Sequence, residues 1–289
     1  MALLFIILSA FFSTGINILV KRSGSSDTGV FRLLYFAASC ILSNGLSIPA
    51  LEYFSLPVAL AGAFTGTFSF ILLEAVAKAL NYGPIGLTYA IQNAGALIPP
   101  FLMAALFGKA YGFSVSPFLI GGSITIFLGL MNSPREGLSP RWLFLSLISS
   151  LCHGIALSMF LYRVLFFDSS VTHPLVFFHA PPESDPWYSL FYFFSPFCLH
   201  CIKLLMKPQI LYKEEISAGA LAGLFNGASC FFLLFASSIA QTWEKPILFP
   251  FYAVVTLFFS SFAAKKFFNE DISWVSLGCC GGGIFLSVF

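Results

Sequence analysis

Charge is what this chain has least of. Lysine and arginine number 14, aspartate and glutamate 12, and together they make up 9% of 289 residues. An average soluble domain carries about a quarter. That scarcity excludes a soluble globular domain and a disordered chain. A net charge of +2 is too small to mark a nucleic-acid surface, and no nucleic acid is expected as a partner. The sequence has no Walker-type phosphate loop and no H-E-x-x-H zinc motif. Paired carboxylates occur only at Glu214-Glu215 and Glu270-Asp271, in short connections. With no catalytic constellation and no cofactor signature, neither enzymatic activity nor a cofactor is expected. The seven cysteines are odd in number and lie mostly in apolar runs, where a thiol acts as a small hydrophobe. No disulfide framework follows. Cys198-Leu-His-Cys201 has metal-pair spacing, but small residues on a membrane helix account for it, and no metal is expected.

What the chain has instead is apolar surface. Hydrophobic residues are 58% of the total, and the mean hydropathy is +0.91. A bilayer crossing takes about 20 apolar residues. Runs bounded by charge, proline and glycine predict ten membrane helices, over 2–20, 29–50, 56–80, 84–107, 113–131, 141–163, 187–206, 216–240, 246–264 and 272–289. The runs are long and continuous, so the expected fold class is an all-α integral membrane protein and not a barrel. The first run is too long for a cleaved signal and lacks a basic start, so it reads as a retained span. Membrane lipid is the expected surroundings, and the expected location is a plasma or bacterial inner membrane. The turn-rich stretch 132–140 reads as a linker between 1–131 and 141–289. The stretch 164–186, with His173, His179 and several prolines, reads as an extended loop or partial re-entrant segment.

The organisation turns on an internal repeat. Residues 60–79, LAGAFTGTFSFILLEAVAKA, match 221–240, LAGLFNGASCFFLLFASSIA, without gaps. Ten of the twenty positions are identical, where membrane composition alone gives roughly two or three. Leu60-Ala-Gly opens helix 3 and Leu221-Ala-Gly opens helix 8, so helices 1–5 and 6–10 read as two copies of one unit. A unit with an odd number of spans reverses direction on repetition, so the two copies must be inverted. Inverted repeats are the architecture of alternating-access transporters, with the substrate site near the midplane between them.

At these residues the chain resembles the drug/metabolite transporter superfamily in its ten-helix EamA-like branch. The resemblance is carried by Ala79-Leu-Asn-Tyr-Gly-Pro-Ile-Gly-Leu-Thr-Tyr-Ala90, Pro99-Pro100, Pro250, Phe267-Phe-Asn-Glu270, Gly278 and Arg32. It covers nearly the whole chain, but its motifs are loose. Lys109 stands where the family pattern has an acid, and helix 1 offers Asn17 and no carboxylate. The resemblance implies a permease for a small organic metabolite, with a cavity lined by helices 1, 3, 4, 6, 8 and 9. The acid, base, amides and many rings of the apolar runs suit an amphoteric, partly apolar solute: an amino acid, an amine or a nucleoside-like compound such as S-adenosylmethionine, which some similar proteins carry, with room for a co-transported or exchanged ion or solute. A flippase for a lipid-linked headgroup and a non-transporting membrane scaffold are the alternatives.

Polar groups inside spans are the candidate substrate-binding residues, because lipid offers them no partner. They are Asn17, Glu74, Lys78, Gln92, Asn93, His153 and Asn226, joined by Tyr89 and Tyr252 as ligand-stacking rings. Each has a plainer reading: the asparagines can bind a neighbouring helix, His153 can be an interior hydrogen-bonded histidine, and the tyrosines can simply pack. Glu74 and Lys78 are four apart in the favourable order for a helical ion pair. Two topologies stay open. Eleven of the fourteen basic residues fall on the side of connections 1–2, 3–4, 5–6, 7–8 and 9–10, which puts both termini outside. The resemblance implies cytoplasmic termini.

Overall fold

The computed structural model describes residues 1–289 except 24–28, 83–84, 109–112, 114–115, 132–138, 210–211, 269–273 and 288–289. The expectations for Lys109, Glu270, Asp271 and most of the 132–140 linker lie outside the described residues. In lipid a backbone must satisfy its own polar groups, and a helix does so within one segment. Every regular element among the described residues is a helix. They are α1 (Ala2–Ser23), α2 (Gly29–Leu46), α3 (Leu56–Leu80), α4 (Ile85–Ala94), α5 (Ile98–Phe107), α6 (Pro117–Met131), α7 (Pro140–Phe166), α8 (Asp185–Met206), α9 (Lys213–Ile239), α10 (Leu248–Phe268) and α11 (Trp274–Ser287), with short 3-10 turns between some of them. Seven of these, α1, α2, α3, α7, α8, α9 and α10, are long and apolar enough to cross a membrane, as in a multi-pass membrane protein.

Local chemistry sets the helix ends. Ser139 caps α7, its hydroxyl accepting from the Trp142 amide at 3.1 Å, and Pro140 fills the first turn, where a missing N–H costs nothing. Gly108 ends α5 with a φ of 68°, a conformation open to glycine and disfavoured elsewhere. The sequence predicts one helix over 84–107, but the structure interrupts it with a 3-10 turn at Gly95–Leu97. Pro99 and Pro100, in the first turn of α5, cannot donate to the carbonyls a turn behind them. Gly95 there lies against the Ser150 carbonyl of α7 so closely that any side chain would collide.

The stretch after α7 is shorter than expected, because α7 runs on to Phe166 and α8 begins at Asp185. It folds back on its own helix: the Ala180 amide donates to the Phe166 carbonyl at 2.9 Å, and Phe178 packs on Phe166 with ring centres 4.4 Å apart.

Helix packing follows a regular scheme. α9 lies against α1 and α2, and α1 against α10; α3 lies against α7 and α8, and α7 against α4 and α5; α6 pairs with α11, and α2 meets α8. Small residues let backbones touch where lipid supplies no hydrophobic drive. Gly62 and Gly66 of α3 sit on the Tyr188 and Tyr192 carbonyls of α8, and Gly223 and Gly227 of α9 on those of Tyr35 and Ser39 of α2. Gly283 of α11 meets the Gly122 carbonyl of α6, whereas Gly121, Gly281 and Gly282 face open space. Outward faces are apolar: Leu143, Phe144, Leu147 and Leu151 of α7 are all exposed, as suits a lipid-facing surface. α1 runs antiparallel to α9 (Ser9 meets Ser229, Gly15 meets Phe225) and α2 runs parallel to α9, so this part of the molecule has a Met1 end and a Lys213 end. At the Met1 end the N-terminal ammonium lies 3.4 Å from Glu244.

Candidate functional site

A cavity of about 120 Å³, open on one side, lies among the helices. That is smaller than the usual small-molecule site, about 300–1,000 Å³. Its walls come chiefly from α1, α3, α7 and α9. Ser13, Ile16, Asn17 and Val20 of α1 line it at the same mutual spacing as His153, Ala156, Leu157 and Phe160 of α7. Ser69, Leu72, Leu73 and Val76 of α3 do so at the same spacing as Asn226, Ser229, Cys230 and Leu233 of α9. These spacings of three and four put each set on one helix face. Rings close the remaining sides: Tyr35 and Phe36 of α2, Tyr192 of α8, Tyr89 of α4 and Tyr252 of α10.

Six of the nine sequence candidates line this cavity: Asn17, Tyr89, Gln92, His153, Asn226 and Tyr252. Much of their hydrogen-bonding capacity is spent between helices. Asn17 donates to the Ser260 hydroxyl of α10 at 3.3 Å, and Asn226 to the Ser39 hydroxyl of α2 at 2.9 Å. Tyr252 donates to Ser13 at 2.9 Å, and Tyr192 accepts from Ser69 at 2.7 Å. The Nδ1 atom of His153 lies 3.0 Å from the Gln92 carbonyl. A carbonyl only accepts, so Nδ1 carries the proton and Nε2 holds the lone pair.

The other three candidates stand elsewhere. Asn93 is buried on α4 but is not part of the lining. The sequence offers Glu74 and Lys78 as substrate-binding candidates, Glu74 on the cavity face. They lie instead on the side of α3 turned toward α2 and α8. There the Glu74 carboxylate accepts from Arg32, which is 1% exposed, and from Lys203 at 2.5 Å. Lys78 lies 3.9 Å away and is half exposed. The His200 ring, fully buried with neither nitrogen hydrogen-bonded, is 4.0 Å from the same carboxylate. One acid thus serves three fixed cations. Phe36 separates this cluster from the cavity, lining the cavity and stacking on His200 at 5.6 Å.

Sequence reasoning missed a second buried ion site. Arg163 of α7, 1% exposed, lies 3.2 Å from Asp185 at the start of α8. It donates to the Leu234 carbonyl at 2.9 Å and the Ser238 hydroxyl at 2.6 Å, both on α9, and its guanidinium sits over the Tyr188 ring at 5.5 Å. The available signal was a basic residue inside an apolar run with an acid opening the next helix. Among the described residues no three metal-ligating side chains converge, and Cys198 and Cys201 are free thiols.

No family model matches the chain, and no curated protein matches it. Among solved structures, one protein crystal structure superposes with a TM-score of 0.69 at 11% sequence identity, covering 99% of this chain and 95% of that one. At that identity the likeness shows the fold alone.

Proposed function

We propose that this chain is a secondary transporter that moves a small organic metabolite by exposing the central cavity to the two sides of the membrane in turn. It has ten crossings in this reading, with α4 and α5 as one interrupted span, arranged as two inverted five-helix units. It belongs, in the same reading, with the drug/metabolite transporters that its sequence resembles. Its partners are the solute, membrane lipid and a co-transported or exchanged species; it is not an enzyme, and its setting is a plasma or bacterial inner membrane.

The observation that carries the reading is the cavity lining, in which one set of residues from each half recurs at matched spacing on α1 and α7 and on α3 and α9. The packing scheme supports it independently. Exchanging the halves turns the α2–α9 contact into α8–α3, α1–α9 into α7–α3, and α1–α10 into α7 with α4–α5. The pairs α6–α11 and α2–α8 map onto themselves. The cavity pairing differs by one helical turn from the sequence match of Gly62 with Gly223, which keeps the same helix face.

The test is a thermal-shift screen of purified protein against a metabolite library, followed by uptake of each stabilising compound into proteoliposomes. A bound solute at free concentration c stabilises the folded state by RT ln(1 + c/Kd) and so raises the melting temperature. Compounds that stabilise and are also taken up support the reading. Binders that never cross would overturn it.

A further inference from the structure

We propose that Nε2 of His153 is the hydrogen-bond acceptor for an uncharged, N–H- or O–H-bearing solute, and that a proton competes with the solute for that nitrogen. The inference rests on the cavity being the solute site and deepens that reading by naming solute chemistry and coupling.

The argument begins with the tautomer. Nδ1 donates to the Gln92 carbonyl, so the neutral ring offers a bare lone pair at Nε2. Among the described residues no group bonds Nε2, and the atom is not sealed off, so it opens to the cavity that His153 lines. Asn17 has spent a donor on Ser260 and keeps its carbonyl oxygen as an acceptor. An anion, which can only accept, meets a bare lone pair at Nε2, and at Asn17 a lone pair beside the one remaining N–H. A cation meets no carboxylate in the lining among the described residues. Glu74 is already bound by Arg32 and Lys203 behind Phe36. Burying an ion without a counter-charge costs several kcal/mol. An uncharged donor avoids both costs.

Protonation reverses the fit. The imidazolium is a donor at both nitrogens, so a solute held there by its own donor loses that hydrogen bond. The titratable groups on the surrounding helices are Tyr89 of α4, Tyr252 of α10, Cys230 of α9, Tyr35 of α2 and Tyr192 of α8. α1 and α3 present only hydroxyl, amide and apolar groups to the cavity. None of these groups is a carboxylate that would hold the imidazolium in place. Proton and solute therefore exclude each other, which is the condition for exchanging one against the other.

The test uses three rings of nearly the same shape: benzamide, benzamidine and benzoate, which are uncharged, cationic and anionic near neutral pH. Binding to the full-length protein in detergent is read by saturation-transfer NMR between about pH 8 and about pH 4.5, a range spanning histidine titration. Benzamide should bind at the alkaline end and weaken at least about tenfold in acid. His153→Gln should bind benzamide more weakly and without that acid loss. In the wild type, diethyl pyrocarbonate acylates a free unprotonated imidazole nitrogen, so it should modify His153 and spare the sealed His200. Millimolar benzamide should protect His153. Benzoate binding that tightens in acid, benzamidine binding tighter than benzamide at pH 8, no benzamide binding at pH 8, indifference to pH, or the same acid loss in His153→Gln would each overturn the proposal. Failure of transport would appear instead as absent uptake by a protein that still binds benzamide with this pH response.

Discussion

Lys203 of α8 and Glu74 of α3 stand 2.5 Å apart, nitrogen to oxygen, and Arg32 of α2 shares the same carboxylate. The acid therefore neutralises cations from two other helices and not only Lys78 on its own helix. Removing one partner of a buried ion set leaves the others uncompensated, at about 3–5 kcal/mol.

Glu74→Gln is accordingly expected to destabilise the folded protein by about that amount. Lys78→Ala, at an exposed position and at the edge of contact, should cost less than about 0.5 kcal/mol. Unfolding curves in detergent measure both. Equal effects would mean that the local helical pair, and not the three-helix cluster, is what matters.

Arg163 and Asp185 make a second case. Arg163→Met should lose about 3–5 kcal/mol, because Asp185 and the α9 acceptors then lose their cation. The Arg163→Met, Asp185→Asn double variant should recover part of that loss. A strictly additive double-mutant cycle would show that the two groups do not interact.

Glycine contacts give a sharper contrast. Gly66→Val puts a side chain against the Tyr192 carbonyl and the Pro196 ring, and should cost at least about 3 kcal/mol. Gly121→Ala enters open space and should be neutral or slightly stabilising. Melting temperatures of the two variants, run side by side, decide it.

Cavity and lipid faces can be separated chemically. In a cysteine-free background, Leu73→Cys should react with a water-soluble thiol reagent, and Leu60→Cys should not. Leu73 lines the cavity, while Leu60 is 60% exposed on the apolar outside of α3. Fast labelling of Leu60→Cys would mean that this face meets water and not lipid.

Some of this was legible in the sequence and some was not, for physical reasons. Asn17, Gln92, His153 and Asn226 stand out because a polar group in an apolar run needs a partner or a wet surface. Ser13, Ser69 and Ser229 do not stand out, since a hydroxyl can satisfy itself on its own helix. Glu74 was legible as an unusual residue but not as one facing away from the cavity. α3 is apolar nearly all round, so its pattern does not say which side turns inward. Its partners Arg32 and Lys203 lie far away in sequence, and only packing brings them together. The interruption of the fourth span follows from Pro99 and Pro100, but its position at Gly95 depends on how closely α7 approaches.

The carbonyl-on-glycine contacts also decide what can move. They lock α3 to α8 and α2 to α9, so each rigid block joins a helix from the first half of the sequence to one from the second. With α1 and α10 added to α2 and α9, and α4, α5 and α7 added to α3 and α8, the cavity lies on the seam between two blocks. An arginine bolts that seam at each end: Arg32 to Glu74 toward the Lys213 end, and Arg163 to the Leu234 carbonyl toward the Met1 end. In the proposed transport cycle, opening either end means breaking the arginine contact at that end, while the contact at the other end can stay closed.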